Sequence, residues 1–177
     1  MTAIAKRDIQ MGLAGAIGVC VLTASSYVSV PLYPVPVTMQ TLAVLLVGVV
    51  MGPRAGALTV LSWLAMAAAG APVLAGANGG PGAFVGPTAG YLISFPIAAY
   101  LVGMVPRAGS LLRHGAVFVA MLGLHGLILL MGWAWLSALI GADVAFTAGV
   151  LPFMLGAVLK SGLAAAFVAL LPVRWRF

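Results

Sequence analysis

One lysine, Lys160, stands inside an apolar run that extends from Leu151 to Leu171. At about 1.5 Å of rise per residue it lies ~13 Å along a helix from the start of that run. An ammonium in hydrocarbon costs roughly 2.5–3.5 kcal/mol on insertion scales, and it is tolerated where a carboxylate, backbone carbonyls or a watery cavity receives it. The two acidic residues, Asp8 and Asp143, both fall outside the apolar runs. Asp143 reaches Lys160 only if an outer loop folds down, and Asp8 is at the wrong end. An anionic ligand is the more economical counterion. The alternative is a lysine that snorkels to the interface, which a long stem permits near a helix end and less comfortably at mid-helix.

Further polar candidates gather between the apolar runs. From Gly70 to Gly90 the chain is dense in Gly and Pro; glycine lets backbone approach a ligand, and its N–H groups can bind acceptors. Phe84, Val85 and Tyr91 are interleaved with these turns, which favours a folded cap over a flexible connector. Asn78, at the tip, offers two donors and an acceptor, the complement of a urea or amide, although a solvated loop asparagine explains it equally well. Gln40 sits beside Thr38 and Thr41, below a proline-rich stretch with Tyr33. That cluster reads as the mouth of a cavity or, more simply, as an N-cap by Thr38, and the two are compatible. His125 is mid-run and reads as a packed, satisfied histidine, because no acidic partner completes a proton relay. Lys160, Asn78, Gln40, Tyr91, Phe84 and Thr88 are the candidate substrate-binding residues. Gly12 with Ala16, and Ala14 with Gly18, repeat small residues at helical spacing, a pattern that allows close contact within the subunit or with a partner.

Catalytic chemistry is not visible. Ser/His/Asp and Cys/His sets are missing, and two acids so far apart cannot form a carboxylate pair. The single Cys20 excludes an intrachain disulfide. No CxxC or Cys/His cluster suggests a metal, and no other cofactor is expected. The P-loop spacing is absent, so ATP is not expected to bind here. The basic residues are scattered singly, which argues against nucleic acid despite the net charge of +6.

The elements that must position these residues follow from composition. With 64% hydrophobic and 6% charged residues among 177, the chain cannot build a charged exterior, so its surface faces lipid. A secretory leader would explain one apolar run but not runs repeated through to Leu171, so the whole chain is expected as a single membrane domain, 1–177. With roughly 20 residues needed to cross a bilayer, the runs are Ile9 to Tyr27, Thr38 to Met51, Ala55 to Ala69, Tyr91 to Val105, Gly115 to Leu139 and Leu151 to Leu171. The expected fold is all-α, with six transmembrane helices and a long glycine-rich outer loop between the third and fourth. The second and third runs are short, since 14 residues cover only about 21 Å. Lys6, Arg7, Arg54, Arg107, Arg113, Arg174 and Arg176 then share one side, and the loops 28–37, 70–90 and 140–150 carry no Lys or Arg. Basic residues are retained in the cytoplasm, so both termini are expected there. Trp133 and Trp135 fall near the outer interface and Trp175 near the inner one.

The segments Pro34 to Leu42 (PVPVTMQTL), Gly52 to Ala57 (GPRAGA) and Gly86 to Leu92 (GPTAGYL) resemble the BioY family. These are the biotin-specific substrate-binding subunits of energy-coupling factor transporters. The likeness is dense from about Pro31 to Tyr100 and returns at Leu151-Pro-Phe153 and Lys160. It implies a six-helix bundle in the inner membrane that binds biotin near its outer side. It further implies a transmembrane coupling subunit and cytoplasmic ATPases as partners, with the small-residue face of the first helix, Ala14 and Gly18, meeting the coupling subunit. No enzymatic activity is implied. One departure stands out: the family usually carries an acidic residue one turn before the lysine, where this chain has Ala157. The other readings are a subunit for a different small vitamin and, from another class, a helical membrane scaffold that transports nothing.

Overall fold

The computed structural model describes residues 3–105 and 111–170, with side chains described for 9–105 and 115–170. Arg107, Arg174, Trp175 and Arg176 lie outside the described residues, as do the side chains of Lys6, Arg7, Asp8 and Arg113. The elements in chain order are α1 (Ala3–Tyr27), β1 (Ser29–Val30), β2 (Val37–Thr38), α2 (Gln40–Met51), α3 (Pro53–Ala68), α4 (Ala89–Gly103), α5 (Leu111–Ile140), α6 (Ala142–Gly149) and α7 (Leu151–Leu170). Two 3₁₀ turns, Ala75–Ala77 and Pro81–Phe84, lie between α3 and α4.

Among the described residues, three helical segments are long and apolar enough to cross a membrane: Ile9–Tyr27, Gly115–Ile140 and Leu151–Leu170. α2, α3 and α4, at about 1.5 Å per residue, are roughly 18, 24 and 22 Å long. α2 is apolar on nearly every side because it is enclosed, while α4 packs against α2, α3 and α5 and leaves a face with Ile93, Ile97 and Tyr100 exposed. The helices are closest where α2 crosses α4. A Cβ on Gly48 would run into the Ala99 carbonyl and Val102, so only glycine permits this approach. Gly52 (φ 84°) then breaks the chain, and Pro53 opens α3 at its first turn, where its missing N–H is not needed.

Several boundaries differ from expectation, among them these three. α3 begins at Pro53 rather than Ala55. Thr38 belongs to β2, and Met39 is the N-cap of α2 with no side-chain cap bond. The stretch expected as an outer loop, 140–150, contains α6, started by Gly141 (φ 85°) and carrying Asp143 in its first turn, where the helix dipole favours an acid.

Candidate functional site

The short central helices leave room at one end of the bundle, and two connections fold into it. β1 and β2 pair antiparallel, Ser29 with Thr38 and Val30 with Val37, which puts Pro34, Val35 and Pro36 at the tip of a hairpin. The α3–α4 connection folds down as well, burying Val73, Leu74 and Ala83. It is tied at three points: Tyr27 Oη donates to the Pro72 carbonyl, Gly80 N–H to the Ala67 carbonyl and Trp135 Nε1–H to the Gly86 carbonyl. The folded cap is real, and its ties involve residues whose sequence positions gave no hint of partners.

Under these lids lies a cavity of about 310 Å³, at the lower end of the range for small-molecule sites. Lys160 lines it and is 8% exposed. Its Nζ donates to the Thr38 carbonyl at 2.6 Å and to Thr41 Oγ1 at 3.3 Å. Both are neutral oxygens, so the positive charge faces the cavity uncompensated by them. The ammonium therefore does not snorkel; it is held by backbone and hydroxyl beside a cavity, as mid-helix burial requires.

Asn78 lines the same cavity from the cap. Its Oδ1 accepts the Gly79 N–H at 2.8 Å, which orients the side-chain NH₂ as a donor. Tyr91 contributes a wall rather than a polar contact: its Oη donates to the Gly149 carbonyl at 2.7 Å and its ring stacks with Phe153, centroids 6.1 Å apart. The ring fits because position 132 is glycine, where any Cβ would strike it. Thr88 and Gln40 are also on the wall. The Gln40 amide is already engaged, accepting from Thr38 Oγ1 at 3.0 Å and donating to Ser26 Oγ at 2.9 Å, so it braces α2 against α1.

Phe84 sits apart from the other candidates. It is absent from the cavity lining, because the turn that it ends packs its ring against the buried apolar cluster of the bundle. The two small-residue pairs of the first helix lie in different surroundings. A Cβ on Gly18 would lie 2.7 Å from Thr59 Cγ2, so Gly18 is packed against α3 inside the subunit, and Ala14 is half-buried against the same core. Gly12 and Ala16 are exposed. At 100° per residue the two pairs are about 200° apart on the helix, so they cannot share one face.

Sequence reasoning missed Phe95, Leu129 and Phe153 as walls, and Ser161 altogether. The aromatic content of the runs offered no way to tell an inward ring from a lipid-facing one. His125 is 2% exposed: Nδ1 bonds the Met121 carbonyl at 3.1 Å and Ser161 Oγ at 3.0 Å, while Nε2 has no partner among the described residues.

Comparison with known proteins agrees with this architecture. A model of the BioY family matches residues 2–176. The "Probable biotin transporter BioY" of Pyrococcus horikoshii is 38% identical over 151 residues, covering 84% of this chain and 88% of that protein. The "Biotin transporter BioY" of Rhizobium etli is 35% identical over 150 residues, 78% of each chain. A crystal structure at 2.1 Å, described as that of the S-component for biotin from an ECF-type ABC transporter, superposes with a TM-score of 0.83 at 26% identity, covering 95% of this chain and 92% of the other.

Proposed function

This chain belongs to the BioY family, and from that premise we propose that it captures biotin at the membrane as the substrate-binding subunit of an energy-coupling factor importer. The observation that carries the reading is the Lys160 ammonium, buried beside a cavity with only neutral oxygens as partners while Asn78 presents an amide from the cap. Biotin is the complement: a carboxylate for the cation, a urea for the amide and backbone groups, and an apolar bicycle for Tyr91, Phe95, Leu129 and Phe153. The protein binds its ligand and performs no chemistry on it.

In this reading α1, α2, α3, α4, α5 and α7 are the six crossing segments of one membrane domain. The termini face the cytoplasm of a cell whose inner membrane holds the protein. Support for that orientation comes from Arg54, exposed in the first turn of α3, beside the end of α2 away from the cavity; basic residues mark the cytoplasmic side. The ligand then enters from outside, beneath the hairpin and the glycine-rich cap. Energy comes from partners, a transmembrane coupling subunit and cytoplasmic ATPases, since no P-loop is present in this sequence. Of the four residues Gly12, Ala14, Ala16 and Gly18, Gly12 and Ala16 are exposed for such a contact.

The test is calorimetric titration of biotin-depleted protein in detergent with biotin, desthiobiotin and biotin amide. One-to-one binding that weakens for the amide is expected. Folded protein that binds none of the three would overturn the assignment and direct the search to other small vitamins.

A further inference from the structure

Below the main cavity is a second void of about 10 Å³, whose lining includes Thr41, His125, Ala157 and Lys160. Thr41, Leu129, Phe153 and Lys160 line both spaces, so the void is an annex of the cavity floor. About 10–15 Å³ of this kind of space holds one water, which a polar site of two or more partners retains. A carboxylate does not fit.

The hydrogen bonds around His125 determine which of its nitrogens carries the proton. The Met121 carbonyl can only accept, so Nδ1 is the donor in that 3.1 Å contact. Ser161 gives its own proton to the Ala157 carbonyl at 2.7 Å, leaving its oxygen to share the same Nδ1–H. Neutral imidazole has one proton, so Nε2 is a bare lone pair, buried and without a partner among the described residues. A buried acceptor in this state is costly, by about 1–3 kcal/mol. On the far side of the annex, Lys160 has three N–H groups, of which two are directed to Thr38 and Thr41.

We propose that His125 is a positioning residue for Lys160, acting through one water held in the annex between the ammonium and Nε2. The water accepts the third N–H of Lys160 and donates to the imidazole lone pair. The ammonium is thereby held from the Thr38 side and the His125 side together. Its 3.3 Å contact with Thr41 is the longest, and that N–H is the one an entering carboxylate takes over. The effect on ligand binding rests on the biotin reading above; the hydrogen-bonded chain itself does not.

Two measurements separate these. The chain has two histidines, so a His114→Gln background leaves one ring to observe. In ligand-free protein in nanodiscs, imidazole ¹⁵N spectra should show Nδ1 protonated, and the Nε2 resonance should move on Lys160→Met. An Nε2–H tautomer, or an Nε2 signal indifferent to Lys160, would overturn the proposal whether or not biotin binds. In titrations, His125→Leu should weaken biotin about fivefold, as expected for the loss of one neutral hydrogen bond, with the amide changed less than about twofold and His125→Gln restoring most of the loss. Equal losses for acid and amide would mean that His125 only fills space, which also overturns the positioning role. Parent protein that binds neither ligand refutes the biotin reading alone, and the spectra then decide on His125.

Discussion

Lys160 Nζ and the Thr38 carbonyl meet at 2.6 Å across 122 positions of sequence, joining the middle of α7 to the last residue of the β1–β2 hairpin. A charged donor thus fastens the hairpin lid to the helix at the far end of the chain. Such charge-assisted bonds are worth more than neutral ones, about 1.5–3 kcal/mol.

Replacing Lys160 by Ala should weaken biotin binding at least about tenfold, roughly 1.4 kcal/mol. Lys160→Met, which keeps the stem and deletes the charge, should lose the same affinity without lowering the thermal midpoint, because the cost of burying the ammonium offsets the hydrogen bonds it makes. Calorimetry and thermal unfolding of the two variants check this; unchanged affinity would remove Lys160 from the site.

The cap ties should govern dissociation more than association. Trp135→Phe deletes the 3.0 Å bond to the Gly86 carbonyl while keeping an aromatic ring. At about 1 kcal/mol for a neutral hydrogen bond, biotin release should accelerate by about fivefold. Stopped-flow displacement of a fluorescent biotin analogue measures it, and an unaltered rate would mean that the cap does not gate exit.

Gly48→Ala should destabilise the bundle by about 1–3 kcal/mol, since the added methyl has to push apart α2 and α4. Gly12→Ala is the control, for nothing lies within 4 Å of its Cβ. Thermal unfolding in detergent should separate the two clearly.

The small-residue stripe should divide by face. Ala16→Leu leaves the isolated subunit folded and binding biotin, yet reduces co-purification with the coupling subunit. Gly18→Leu should fail earlier, at folding, because its side chain meets Thr59 and Met51. Gel filtration and pull-down of both variants distinguish these outcomes; normal assembly of Ala16→Leu would exclude that face.

Much of this was legible in the chain itself. Apolar run length and the missing charged exterior called for membrane helices, and the isolated lysine called for a cavity or a carbonyl, of which the fold supplies both. Glycine and proline density marked the cap. Where Phe84 and Gly18 pack was not legible for one reason: in a chain this apolar, residue type no longer separates inside from outside. A ring suits a core, a ligand wall or lipid alike, so hydrophobic periodicity loses its contrast.

By itself the sequence determined the solvent, the approximate helices and the few polar atoms for which a ligand or a neighbour had to be found. Only the tertiary structure decided which of those atoms were already engaged. Gln40 spends its amide on Ser26 and Thr38, Tyr91 its hydroxyl on Gly149, and His125 one nitrogen of two. The Gln40–Ser26 and Tyr91–Gly149 bonds close across 14 and 58 positions, and the local ones, Thr38 to Gln40 and His125 to Met121, depend on how the neighbouring elements pack. Hydrogen bonding is short-ranged and directional, so its partners exist only once packing has brought the helices together.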